Sequence, residues 1–271
     1  MTTIDHGTCR VTVEPPRATV ELVPPAKLTN RTSDLHWDLG EVFSELRGDN
    51  SVRVITLTGT DDEFYAPQTR GFLDSEPARR YLMEPSGAWR TFTGVIRTHE
   101  TMAALEKPIV ARVNGDAIGF GSSLVFACDL IVAAEDAIFS DIHLGMGEIT
   151  PGGPEHGMAP GDGGGALVPM FMAPPKAKEY LMLSKAMSAT ELEALGAINY
   201  AVPRAQLDAK VEELVDALLR RSAYALAWAK RVANRPIVAN LNAALDASVG
   251  YEMVSLLQLE RSAFVDPLTL D

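Results

Sequence analysis

A histidine and an aspartate stand at the two ends of a glycine-rich stretch: Phe139-Ser140-Asp141-Ile142-His143 opens it, and Pro160-Gly161-Asp162-Gly163 closes it. An imidazole can take or give a proton near neutral pH. A nearby carboxylate can fix its tautomer and support the imidazolium, so His143 with Asp162 is a candidate acid–base pair. Just upstream, Gly119-Phe120-Gly121 opens a short apolar helix after the strand-like run Ile109–Val113. Backbone N–H groups at such a helix start can hold a developing negative charge, which makes Phe120 and Gly121 candidate oxyanion contacts. A second pair, Glu155-His156, lies inside the glycine-rich stretch, so either His143 or His156 could face Asp162.

The elements that must position these groups alternate between strand and helix. Arg10–Glu14 and Ala18–Val23 read as strands around Pro15-Pro16, and Val52–Thr58 as a strand closed by Gly59. Between them, Thr32 or Ser33 can cap a helix over Asp34–Leu46, with Leu35, Leu39, Val42, Phe43 and Leu46 on its apolar face. Asp61–Pro85 is polar and broken by prolines and reads as loop with short helical pieces. Trp89, Phe92, Ile96, His99 and Leu105 then suggest a helix, with His6 and His99 as surface residues. Leu130–Ala134 and Tyr200–Val202 complete the strands, and the pattern is helical from Gln206 onward. Met158, Met170, Phe171 and Met172 are expected to line core or pocket. The organisation is an α/β core over 1–205 containing the site, and a helical segment over 206–271.

At 271 residues and 46% hydrophobic, the chain can bury a full core. Its net charge of −12 argues against nucleic-acid binding and gives no attraction to anionic membranes. Cys9 and Cys128 suggest neither a disulfide framework nor a zinc site, and no metal is expected. No signal peptide or membrane-length apolar run is visible, so a cytoplasmic location is expected.

Lys107-Pro108-Ile109-Val110-Ala111-Arg112-Val113-Asn114-Gly115, the Gly119-Phe120-Gly121 turn and Ala127-Cys128-Asp129-Leu130 together resemble the crotonase (enoyl-CoA hydratase/isomerase) superfamily. Ala137–Ser140, the Pro-Gly-Asp-Gly segment and Ala189–Ala201 extend the likeness. The resemblance implies a spiral of ββα turns with a C-terminal helical segment that builds homotrimers or dimers of trimers. It also implies an enolate held by two backbone donors, at Phe120 and near Gln68. No cofactor is implied, although a CoA thioester would be the usual substrate. The hydratases' two glutamates would fall at Ser123 and His143, neither a carboxylate, and Pro67 departs from the loop that helps seat CoA.

The pattern His143, Pro160-Gly161-Asp162, with His36 early and Glu252 late, is similar instead to 6-oxocamphor hydrolase, a β-diketone hydrolase of that superfamily. The resemblance makes His143, Asp162, His36 and Glu252 the catalytic set, with about ten extra residues over Thr150–Ala159. Three readings follow: a hydrolase of β-dicarbonyl compounds using a neutral His143 as base, an enoyl-CoA hydratase or isomerase with a His/Asp pair, and a non-catalytic protein of the same fold.

Overall fold

The computed structural model of the chain describes residues 1–24, 34–66, 84–151 and 157–262, with side chains through Leu257. Strands β1 (Thr2–Asp5), β2 (Cys9–Glu14) and β3 (Arg17–Leu22) form an antiparallel meander. β1 lies outside the strands read from sequence; it is short and fully exposed, with no burial to imprint a pattern. From β3 the sheet continues in parallel through β4 (Val54–Thr58), β6 (Ile109–Val113), β8 (Leu130–Ala134) and β11 (Tyr200–Val202). β6 and β8 read as almost unbroken apolar runs because both sheet faces are covered.

A second, smaller sheet orders β10 (Met187–Ser188), β9 (Ile138–Ser140), β7 (Asp116–Ile118) and β5 (Glu63–Tyr65). Its strands are only two or three residues long, too short for a period-2 pattern to stand out, which is why β5 was hidden in a stretch read as loop.

Helix α1 (Leu35–Gly48) buries Leu35, Leu39, Val42, Phe43 and Leu46 as their spacing requires. Its cap is Asp34, whose carboxylate accepts from the backbone N–H of His36; Thr32 and Ser33 lie outside the described residues. α1 packs on α2 (Pro85–Ala104). On α2 one sequence expectation is reversed: His99, expected at the surface, is fully buried, while Trp89 is 66% exposed. A histidine on an apolar helical face goes inside when a helix carbonyl satisfies it, here Val95 O at 2.8 Å from Nδ1.

The remaining helices are α3 (Phe120–Phe126), α4 (Gly164–Phe171), α5 (Pro174–Met182), α6 (Ala189–Ala194), α7 (Leu207–Leu219), α8 (Ala223–Ala233) and α9 (Arg235–Ser262). Met158 and Met172 are buried, but Met170, expected in core or pocket, is 39% exposed on α4. α9 packs back on α2 and α4. Leu241, Leu245, Val249 and Glu252, spaced by four, four and three, lie along its inward stripe, so a carboxylate follows three apolar positions there. None of the described helices is long and apolar enough to cross a membrane.

Candidate active site

Two strand ends of the small sheet build the site. β7 and β9 run in parallel with Ile118 beside Ser140, and Gly119 N–H donates to Ser140 O at 2.9 Å. The chain leaves β7 into α3 and leaves β9 into Asp141-Ile142-His143, which sets the start of α3 next to His143. Gly119 adopts φ 58° to make that turn. Gly121 serves close approach: a Cβ there would sit 2.2 Å from Tyr65 O at the end of β5.

His143 is 7% exposed in its side chain and engaged at both ring nitrogens. Its Nδ1 lies 2.8 Å from Asp141 Oδ1, and the same oxygen accepts its backbone N–H at 3.1 Å. Nε2 faces Asp162 Oδ2 at 3.4 Å and Glu252 Oε1 at 3.6 Å. Both are longer than a direct hydrogen bond, so the two carboxylates share the nitrogen electrostatically. The sequence expectation that Asp162 fixes the tautomer is therefore corrected: Asp141 does so, because the Asp-x-His turn closes on itself as soon as β9 ends.

Asp162 reaches His143 despite the longer connection because the chain returns alongside it. Gly157 N–H donates to Leu144 O and Met158 N–H to His143 O, each at 2.9 Å. His156 lies outside the described residues, as does Gln68. Asp162 Oδ1 accepts from Ser123 Oγ at 2.8 Å. Gly163 follows at φ 109°, and a Cβ there would lie 2.3 Å from His99 Nε2, so no other residue fits that turn.

His36 approaches from α1. Its Nδ1 is 2.8 Å from Asp34 Oδ1, and its ring lies 4.1 Å, centroid to centroid, from that of Phe120. The Phe120 ring in turn meets the edge of His99 at 5.9 Å.

The electrostatics follow from burying these charges together. Burial by itself would pull His143 down, but Asp162, Asp141 and Glu252 outweigh it and hold the imidazole well above its ordinary value. His36 is likewise raised, because Asp34 first, then Asp162 and Glu252, overcome its burial. Burial pushes Glu252 up to about 7, with Asp162 adding and His143 and His36 opposing. His99, with no adjacent carboxylate strong enough, is pushed down by burial and stays neutral.

Sequence reasoning missed Asp34 and Asp141, and passed over Ser123 and His99. The signal was present in the repeated Asp-x-His of Asp34-Leu35-His36 and Asp141-Ile142-His143. One ligand atom from each of Asp141, His143 and Asp162 falls within 4.8 Å of the others. Each ring nitrogen of His143, however, already faces a different carboxylate, an arrangement suited to moving protons.

A seven-stranded sheet beside a four-stranded one, a glycine-opened helix next to a strand-end histidine and a cluster of carboxylates around it define an enzyme of the crotonase superfamily. Residues 18–258 match the enoyl-CoA hydratase/isomerase family, and the chain belongs to it. It is 26% identical to the crotonyl-CoA hydratase of Syntrophomonas wolfei over 222 residues, 82% of this chain and 79% of that one. It is 29% identical to the carnitinyl-CoA dehydratase of Escherichia coli over 198 residues, covering 72% and 69%. Among solved structures, an enoyl-CoA hydratase/isomerase from Mycobacterium paratuberculosis superposes with TM-score 0.79 at 25% identity, over 93% and 94% of the two chains. A β-diketone hydrolase from the cyanobacterium Anabaena, bound to (S)-3-oxocyclohexyl acetic acid, shares the fold with TM-score 0.78 at 18% identity, over 94% and 96%.

Proposed function

We propose that this enzyme adds water to a β-dicarbonyl compound and cleaves the carbon–carbon bond between the carbonyls, giving a carboxylic acid and a ketone. The observation that carries this is the environment of His143 Nε2, which two carboxylates, the buried Asp162 and the partly buried Glu252, share. Three carboxylates hold His143 as the imidazolium, so the role of base passes from His143 to the Glu252 carboxylate, whose acid–base point of about 7 suits a proton acceptor at neutral pH. Glu252 takes a proton from water as the oxygen attacks one carbonyl. Collapse of the resulting alkoxide breaks the C–C bond, and its electron pair becomes the enolate of the second carbonyl. The His36 imidazolium and the Phe120 N–H hold the enolate oxygen. The proton returns to the enolate carbon through His143 and Glu252.

A reading as a hydratase or isomerase of a CoA thioester is favoured by the names of the relatives. Against it, the positions that match the hydratases' glutamates carry Ser123, tied to Asp162, and His143. The third reading, a non-catalytic protein, leaves the gathering of Asp141, Asp162, Glu252, His36 and His143 without a use.

Loss of diketone absorbance, followed with wild type and His143→Ala, tests the proposal, beside hydration of enoyl-CoAs and the melting temperature with saturating acetyl-CoA. Diketone loss that needs His143, with no acetyl-CoA stabilisation, supports hydrolysis. Turnover of enoyl-CoA alone, with a concentration-dependent rise in melting temperature, replaces it with the thioester reading.

A further inference from the structure

α2 carries two buried hydroxyls that serve no part of its own helix. Thr91 is 8% exposed and Thr98 fully buried. A threonine hydroxyl inside a helix commonly bonds the carbonyl one turn back. Here Thr91 Oγ1 donates to Asp34 Oδ2 at 2.5 Å, and Thr98 Oγ1 donates to His36 O at 2.8 Å. Between them, Gly94 lets the two backbones touch: a Cβ on it would lie 2.5 Å from Trp37 N and 2.6 Å from His36 C. Spacings of three and four put Thr91, Gly94 and Thr98 on one stripe of α2. That stripe grips the Asp34–His36 turn at its carboxylate, its backbone path and its carbonyl.

The consequence falls on the ring. Asp34 Oδ1 takes both the His36 backbone N–H at 3.0 Å and Nδ1 at 2.8 Å, while Oδ2 is occupied by Thr91. Asp34 thus has no freedom to rotate away, and His36 keeps its proton on Nδ1. The His36 side chain is 25% exposed, so its outer edge is open to a ligand in a way that His143 is not. The groups around it are Asp34 on its own turn, Thr91 and His99 from α2, the Phe120 ring from α3, and the carboxylates of Asp162 and Glu252.

We infer that Asp34 and Thr91 are positioning residues that hold His36 as a fixed cationic donor, its Nε2–H aimed at the substrate oxygen on which negative charge collects. The assignment rests on the proposed enolate chemistry for its use, but the dyad itself is a property of the resting protein. It defines the ligand chemistry at this end of the site: an oxygen that becomes anionic, held by an imidazolium that does not surrender its proton during turnover.

The test is an NMR titration of the His36 imidazole in wild type, Asp34→Asn, Thr91→Val and Thr91→Ser, beside steady-state kinetics on a β-diketone and thermal unfolding. Thr91 holds Asp34 Oδ2, so its removal frees the carboxylate to turn away from Nδ1, and His36, losing that partner, gives up its proton at lower pH. The titration midpoint is expected to fall in Thr91→Val, to fall further in Asp34→Asn, and to return in Thr91→Ser. kcat should fall about tenfold in Thr91→Val with KM unchanged, and recover in Thr91→Ser. A His36 titration identical in all four proteins overturns the inference even if diketone turnover is robust. So does a kcat loss in Thr91→Val that serine does not restore. Failure of every protein to turn over diketone, with the titration shifts present, overturns the reaction and leaves the positioning intact.

Discussion

The chain makes the same small turn twice and uses it differently. In Asp34-Leu35-His36 and in Asp141-Ile142-His143 the aspartate Oδ1 accepts the histidine backbone N–H, at 3.0 and 3.1 Å, and meets its Nδ1 at 2.8 Å in both. The middle residue is apolar and buried each time, which turns both polar ends toward the site. What differs lies outside the turn. Asp34 Oδ2 is satisfied by Thr91, whereas Asp141 Oδ2 has no hydrogen-bond partner among the described residues. The far nitrogen of His143 is enclosed by Asp162 and Glu252, while His36 remains partly open. On the proposed chemistry, an identical local motif serves as a proton relay where carboxylates face the distal nitrogen, and as a stationary donor where they do not.

The sharpest way to break that comparison is to remove each ring. His143→Ala takes away the centre of the proposed relay, and turnover is expected to fall by about 10²–10⁴, toward the upper end of that range, as loss of positioned acid–base groups does. His36→Ala removes one stabiliser of the enolate oxygen, and a loss of about 10²–10³ in kcat is expected. Kinetics of both variants, with unfolding curves to confirm the fold, decide it. Equal losses would erase the distinction between relay and donor.

Glu252→Gln separates the two turns by pH. The wild-type rate should rise through about pH 7 as Glu252 ionises, and the residual activity of the glutamine variant should lack that limb. Stability has the opposite sign. A carboxyl raised from 4.5 to about 7 by burial stays protonated in the fold while the unfolded chain ionises, so wild type loses stability as pH climbs across that interval. Glutamine carries no such cost, so the variant should melt higher than wild type at pH 8 and gain less at pH 4. A wild-type rate flat from pH 6 to 8 would remove Glu252 from the acceptor role.

The legibility of these parts in the sequence follows their length and locality. β6, β8 and the apolar face of α1 were readable because each repeats a burial pattern over at least five residues. The small sheet was not, since β5, β7, β9 and β10 are too short to show a period, and its pairings join residues far apart in the chain. His143, Asp162 and Glu252 were nameable, but that Glu252 turns inward depends on the phase of a long helix against Leu241, Leu245 and Val249. The roles of Asp34 and Asp141 were local and within reach. The hold of Thr91 on Asp34 was not, because it depends on how two helices cross.

Ser123→Ala carries the smallest expected effect and probes how the relay is aligned. Ser123 stands on α3, and its hydroxyl donates to Asp162 Oδ1 at 2.8 Å, with the Gly119 carbonyl at 3.5 Å as its only other acceptor among the described residues. Fixing Oδ1 leaves Oδ2 to face His143, so the serine decides which carboxylate oxygen enters the relay. Alanine removes one hydrogen bond to a charged group, worth about 1.5–3 kcal/mol, and leaves a methyl-sized side chain where the hydroxyl was. If that energy is felt mainly in the transition state, kcat should drop about tenfold or somewhat more with little change in KM. The asymmetry of the two turns predicts where the damage stops: the titration of His143 should shift, because Asp162 is its neighbour, and that of His36 should move far less. An equal shift at both histidines would show that the two turns and the carboxylates beside them respond as one cluster rather than as a relay beside a donor.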